Sequence, residues 1–90
     1  AAGFSLMEYD TFVRHGLNIL SLVGNDAGWT QIERDQVVIL GDDVGCPLLP
    51  TAYDKVVEGL GAVGIQVSEQ GELDAAMQQA LSQSHEGKPV

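Results

Sequence analysis

The residue pattern predicts an α/β fold built on a parallel sheet, with helices on both faces. Three observations carry this. Amphipathic stretches alternate with short apolar runs, in the order helix, strand, long connection, helix, strand, helix, strand start. The run Ile19-Leu20-Ser21-Leu22-Val23 is nearly continuous rather than alternating, as a strand buried on both faces would be. Gly16 and Gly61 follow helical stretches, where a left-handed stop is expected.

The elements follow in order. Ser5-Leu6-Met7-Glu8 reads as a capping box, the Ser5 hydroxyl accepting an amide and Glu8 reaching back. Leu6, Tyr9 and Val13 then recur at helical spacing, with Phe12 beside them and Asp10 four residues before Arg14. A helix is expected from about Leu6 to His15, and a strand over Ile19–Val23. Thr51 opens a second helix with a similar cap, and Tyr53, Val56, Val57 and Leu60 form its apolar stripe. Val63–Val67 reads as the next strand. Leu73, Met77, Ala80 and Leu81 mark a third helix at i, i+4, i+7 and i+8. Gly87-Lys88-Pro89-Val90 reads as the start of another strand. An α/β unit usually has a strand before its first helix, so residues 1–90 are expected to be part of a larger domain, cut at both ends.

Residues 30–50 are the ambiguous stretch. Val37-Val38-Ile39-Leu40 has strand composition, but Gly41-Asp42-Asp43 and the Pro47/Pro50 pair favour a loop folded over the strand ends. A connection this long is usually functional.

Composition excludes several classes. The 90 residues allow one domain at most. Thirteen acidic residues against four basic ones give a net charge of −9, the wrong sign for a nucleic-acid footprint or a polybasic lipid anchor. A hydrophobic fraction of 44% is too high for a disordered acidic tail. No apolar run reaches the roughly 20 residues of a membrane span. The single cysteine, Cys46, excludes an internal disulfide and a zinc ribbon. A soluble, acidic, intracellular unit is expected, without nucleic-acid or membrane contacts of its own.

In an open parallel sheet, ligands bind beyond the carboxyl ends of the strands. The segment Gly24–Trp29 would leave the first strand there. It offers an amide (Asn25), a carboxylate (Asp26) and glycines that let backbone approach a ligand. Oxygen donors in a tight turn suit Mg²⁺, which shares its shell with phosphate oxygens. Taken by itself, such a segment also reads as a polar turn capping a strand.

These residues carry a resemblance. The stretch Ala1-Ala2-Gly3-Phe4-Ser5-Leu6-Met7-Glu8, the apolar run, and Val23-Gly24-Asn25-Asp26-Ala27-Gly28-Trp29 resemble the second half of the thiamine-diphosphate fingerprint. That fingerprint is a Gly-Asp-Gly at one strand end, a helix and strand, and an Asn-Asn pair at the next. The likeness is to the cofactor-binding C-terminal domain of acetolactate-synthase-like proteins of the 2-hydroxyacyl-CoA lyase branch. It covers almost the whole chain and is most specific from Gly3 to Gln31. The Gly-Asp-Gly would fall just before Ala1, and Asp26 stands where the second Asn is usual.

The resemblance implies thiamine diphosphate and Mg²⁺ as cofactors. It places Ala1, Ala2, Asn25, Ala27, Gly28 and Trp29 at the cofactor. It places Asn25, Asp26 and Gly28 at the metal, through the Asp26 side chain and the Gly28 carbonyl. It implies a lyase cleaving 2-hydroxyacyl-CoA to an aldehyde and formyl-CoA, with the cofactor as electron sink. The glutamate that activates the cofactor would lie in another domain, supplied by a partner subunit, so no catalytic residue is assigned here. Implied partners are the other domains of the parent, in a dimer or tetramer. The parent would be cytoplasmic in bacteria, and held at the endoplasmic reticulum in animals by a membrane segment outside this region.

Two rivals stand beside this reading: an acetolactate-synthase-type carboligase on 2-oxo acids, and a non-catalytic α/β interaction module. Glu8, His15, His85, Cys46 and the Asp42-Asp43 pair are read as structural or solvated.

Overall fold

The computed structural model describes residues 2–90. Its α-helices are α1 (Ala2–Ser5), α2 (Glu8–Arg14), α3 (Thr30–Leu40), α4 (Tyr53–Gly59) and α5 (Leu73–His85). A 3₁₀ turn, Gln70–Glu72, leads into α5.

The helix stops follow the glycines. After α2, the amides of Gly16 and Leu17 donate to the carbonyls of Val13 and Phe12. After α4, Gly61 and Ala62 repeat this onto Glu58 and Val57, and after α5, Gly87 and Lys88 repeat it onto Ser84 and Gln83. Each is the paired Schellman bond pattern, and all three glycines have positive φ, which costs a residue without Cβ little.

The helix starts differ from expectation. Ser5 ends α1 rather than capping α2, and Met7 stands at the α2 cap position without a side-chain bond. The chain is already helical before Ser5, so its hydroxyl faces no free helix start. The first turn of α2 is instead tied to the two-residue turn that follows α1, the Tyr9 and Asp10 amides donating to the Leu6 and Met7 carbonyls. Thr51 likewise does not cap α4: Ala52 holds that position. The Asp10–Arg14 pair does form, at 2.8 Å.

Residues 30–50 are not the continuous loop expected. Thr30–Leu40 is an eleven-residue helix. The Ile32 and Glu33 amides bond the Trp29 carbonyl at its start, and Gly41, with φ 71°, closes it. The β-branched run Val37-Val38-Ile39 is helical: these local bonds fix both ends of the helix, and among the described residues no strand pairs with it. Val38, Ile39 and Leu40 stay 85%, 76% and 67% exposed, so α3 presents an uncovered apolar face.

The runs Ile19–Val23 and Val63–Val67 carry no strand ladder, and no parallel sheet is formed among the described residues. Three backbone bonds tie the runs to the chain's last residues. Ser21 donates to Val90 (2.9 Å), Val90 donates to Ile19 (2.8 Å), and Val63 donates to Pro89 (2.9 Å). A ladder needs successive paired residues; here Val90 alone bonds the first run and Pro89 alone the second.

The core is small. Tyr9, Val57 and Ala62 are buried, with Leu6, Phe12, Val13 and Leu60 packed against them. The Tyr9 ring meets Phe12 edge-on at 5.2 Å, and its hydroxyl donates to the Val90 carbonyl at 2.9 Å. Gly64 lies against the Asp54 backbone so closely that any Cβ there would collide with it. A trough of about 360 Å³, lined by Leu6, Tyr9, Leu22, Ile65, Met77 and Val90, runs beside this core. The molecule is a slab of 48 × 31 × 17 Å with a radius of gyration of 15.5 Å. A compact chain of this length would have about 12 Å. Its accessible surface, 6495 Å², likewise exceeds the roughly 5,000 Å² of a compact monomer of this size.

Candidate functional site

Between the first apolar run and α3, the chain makes a polar turn that a second segment straps down. Asn25 organises the turn. Its Nδ2 donates to the Thr51 carbonyl at 2.9 Å, and its Oδ1 accepts the Ala27 amide at 3.2 Å. The first bond ties the turn to the approach to α4; the second is the local side-chain-to-backbone bond typical of Asn in turns. Ala27 is left-handed, with φ 52°, a conformation uncommon for a residue with a Cβ.

The strap is Cys46–Leu48. Trp29 donates to the Cys46 carbonyl at 2.9 Å, and Leu48 donates to the Ala27 carbonyl at 2.8 Å. Gly28 and Pro47 face each other in an antiparallel bridge. Gln36 of α3 holds the strap's approach: its Nε2 donates to the carbonyls of Val44 (2.9 Å) and Asp42 (3.1 Å), and its Oε1 accepts the Cys46 thiol at 3.5 Å. Asp42 is used in its own turn, accepting the Val44 amide. Cys46 is 2% exposed, and burial, then the charges of Glu33 and Asp43, push its thiol up. It is therefore a neutral packing group at pH 7.

Asp26 is the exposed acid of the turn. The Thr30 hydroxyl, at the first residue of α3, donates to its Oδ2. That bond, more than the nearby amides of Asp26 and Gly28, holds the carboxyl below its ordinary range, against a smaller opposing effect of burial. A bond to the ionised form favours it, so Asp26 is a carboxylate at neutral pH.

A cleft of about 260 Å³ joins these parts. The turn Gly24–Trp29 forms one side, with Leu48 and Tyr53, while Ala2 and Gly3 approach it from α1. Trp29 packs against Phe4 of α1, ring centroids 5.3 Å apart and the planes tilted by 42°. Of the residues expected at the site, Ala2, Asn25, Asp26, Ala27, Gly28 and Trp29 thus line one cleft, and Ala1 lies outside the described residues. Glu8, His15 and His85 are not among its lining residues. Sequence reasoning missed Thr30, Leu48, Tyr53 and Gln36. Only Thr30 left a local signal, an Asp and a hydroxyl four residues apart at a helix start.

Among the described residues, no group of three or more His, Cys, Asp or Glu side chains could hold a metal ion. The cleft offers a carboxylate and the Gly28 carbonyl, which accepts no loop bond among those described. These are hard oxygen donors too few to close a shell. Such a set fits Mg²⁺, which is commonly bound by one or two carboxylates together with phosphate oxygens and water.

A domain that binds a cofactor through a metal is the class this cleft and its turn suggest. Comparison with known proteins makes it specific. The sequence profile of the family "Thiamine pyrophosphate enzyme, C-terminal TPP binding domain" matches residues 1–90. The chain belongs to that family, and is the cofactor-binding domain region of a thiamine-diphosphate-dependent enzyme. It is 49% identical to 2-hydroxyacyl-CoA lyase 2 of Homo sapiens over 92 residues, covering 100% of the chain and 15% of that protein. It is 59% identical to 2-hydroxyacyl-CoA lyase 2 of Mus musculus over 68 residues, 76% of the chain and 11% of that protein. It is 40% identical to a probable acetolactate synthase of Mycobacterium bovis over 83 residues, 91% of the chain and 15% of that protein. The chain thus spans about 15% of the length of such relatives. No helix among the described residues is long and apolar enough to cross a membrane.

Proposed function

We infer that this chain holds the diphosphate end of thiamine diphosphate, through Mg²⁺, in a lyase that cleaves 2-hydroxyacyl-CoA to an aldehyde and formyl-CoA. The observation that carries this is the strapped turn Asn25–Trp29 facing Ala2 across one cleft, in a chain 49% identical to a protein named 2-hydroxyacyl-CoA lyase 2. When bound, the cofactor supplies the electron sink for breaking the carbon–carbon bond. The chain's own residues bind and orient. Asp26 and the Gly28 carbonyl hold the cation. Asn25 shapes the turn, Ala27 sets the direction of the backbone entering Gly28, and Trp29 with Phe4 closes one side.

Residues 1–90 are read as part of a larger domain. In that domain the runs Ile19–Val23 and Val63–Val67, with the segment ending at Val90, would belong to one parallel sheet. The apolar face of α3 would pack on another domain or subunit. A carboligase acting on 2-oxo acids is the second reading, favoured by the 40% identity to the acetolactate synthase.

The test uses the full-length protein. Supplied with a 2-hydroxyacyl-CoA, it should release aldehyde and formyl-CoA; supplied with pyruvate alone, it should not form acetolactate. The reverse result selects the carboligase. Asp26→Ala should abolish Mg²⁺-dependent cofactor binding while leaving the melting temperature unmoved. Normal cofactor binding by that variant would show the metal assignment to be wrong.

A further inference from the structure

Pro89 and Val90 bond in a pattern that gives them a place between the two apolar runs. Val90 donates to the Ile19 carbonyl and accepts the Ser21 amide. Bonding to the residues on either side of its opposite number is the parallel arrangement; an antiparallel pair would exchange both bonds with a single residue. Pro89 faces the other way, its carbonyl accepting the Val63 amide. Successive residues thus turn to opposite neighbours, as they do in a strand flanked on both sides. Pro89 fits as an opening residue, because proline is tolerated at the first position of a strand.

The trough of about 360 Å³ continues this line. Its sides are the runs themselves, Leu20 to Val23 and Val63 to Val67, and Val90 stands in its lining. Tyr9, Val57, Met77 and Ala80 line it from the helices. Asn25 and Thr51, whose bond ties down the turn of the cleft, line it as well.

We propose that the residues following Val90 in the full-length protein fill this trough as an extended segment, the middle strand between Ile19–Val23 and Val63–Val67 and parallel to both. The segment is about five residues long, matching the runs, and apolar where it meets the helices. Relatives of this chain are far longer, residues 1–90 matching 15% of the human lyase. Val90 already stands in the slot, so its continuation enters without closing a loop. A strand from a second copy would have to displace it. The proposal rests on the reading of the two runs as members of one sheet, and not on the cofactor assignment.

Extending the observed bonds sets the register. The second residue after Val90 lies opposite Leu22, donating to the Ser21 carbonyl and accepting the Val23 amide. The first lies opposite Gly64 and accepts the Ile65 amide, and the third lies opposite Gln66.

The experiment uses the full-length protein. Leu22→Cys is combined with a cysteine at the first, second or third residue after Val90, and disulfides formed on mild oxidation are read by peptide mass spectrometry. Paired strands lie about 4.8 Å apart, within the reach of a disulfide, and side chains alternate between the faces. The second position should therefore cross-link within one chain, and the first and third should not. Gln66→Cys with the third position is an independent pair on the other side of the trough and should also close. Amide exchange of the unsubstituted protein needs no variant to fold: the Val23 and Ile65 amides should exchange only with global unfolding. Fast exchange at either would overturn the one-sheet reading and the proposal with it. Slow exchange with neither expected cross-link, with closure in another register, or with cross-links between two chains would leave the sheet standing and overturn the occupant.

Discussion

Two regions of this molecule are held together by opposite means. The α2–α4 contact is apolar: Tyr9, Val57 and Ala62 are buried, with Phe12, Val13 and Leu60 around them. The region from Gly24 to Leu48 has one buried residue, Cys46, and is held by hydrogen bonds from Asn25, Asp26, Gln36 and the strap. Apolar contact is non-directional and fixes how elements pack. Hydrogen bonds have steep angular requirements and fix where a carbonyl or carboxylate oxygen points. A site that offers oxygens to a ligand needs the second kind of order, even at small cost in stability.

The sharpest way to break the comparison is to damage the packed region and ask whether the turn notices. Gly64→Ala would drive a Cβ into the Asp54 backbone, and about 3 kcal/mol of stability or more should be lost. Thermal unfolding of the full-length protein would show it, and cofactor binding should survive below the lowered midpoint. Tyr9→Phe is milder. It removes the buried hydroxyl that donates to Val90 and should cost about 1–2 kcal/mol, read by denaturant midpoint. Loss of cofactor affinity in Tyr9→Phe beyond about twofold would mean that the two regions are coupled, since distant sites usually act independently.

The smallest effect lies in the strap. Gln36→Leu removes the clamp on Val44, Asp42 and Cys46 with little change in melting. Its readout is alkylation of Cys46. In the wild type the thiol ionises only above its ordinary range, so labelling should be slow at neutral pH and speed up as the pH rises. Gln36→Leu should label faster at every pH, because the thiol loses its bond and its cover. Unchanged labelling would show that burial alone, without Gln36, protects Cys46.

The sequence was most legible where structure is local. Gly16 and Gly61 stop helices because only the backbone at the stop matters. The spacing of Leu6, Tyr9 and Val13 marked the face that packs, and the run from Gly24 to Trp29 marked the turn. It was least legible at helix starts and in residues 30–50. A Ser-x-x-Glu pattern caps a helix only if the chain before it is not helical, and α1 occupies that space. A β-branched run becomes strand only when a partner accepts its backbone, and among the described residues none meets Val37-Val38-Ile39, so the Thr30 start and Gly41 stop prevail.

The amino-acid order alone determined that Asn25, Asp26 and Gly28 would share a turn after an apolar run, because neighbours in sequence cannot separate. Only the tertiary structure decided how that turn is used. It engaged Asn25 with Thr51, twenty-six residues away, and brought the strap from Cys46–Leu48 back across Ala27 and Trp29. It also set Ala2 and Gly3 opposite the turn in the same cleft. Each of those bonds ends on a backbone carbonyl, which every residue carries alike. No side-chain pattern could announce them, and only folding brings the groups within bonding distance.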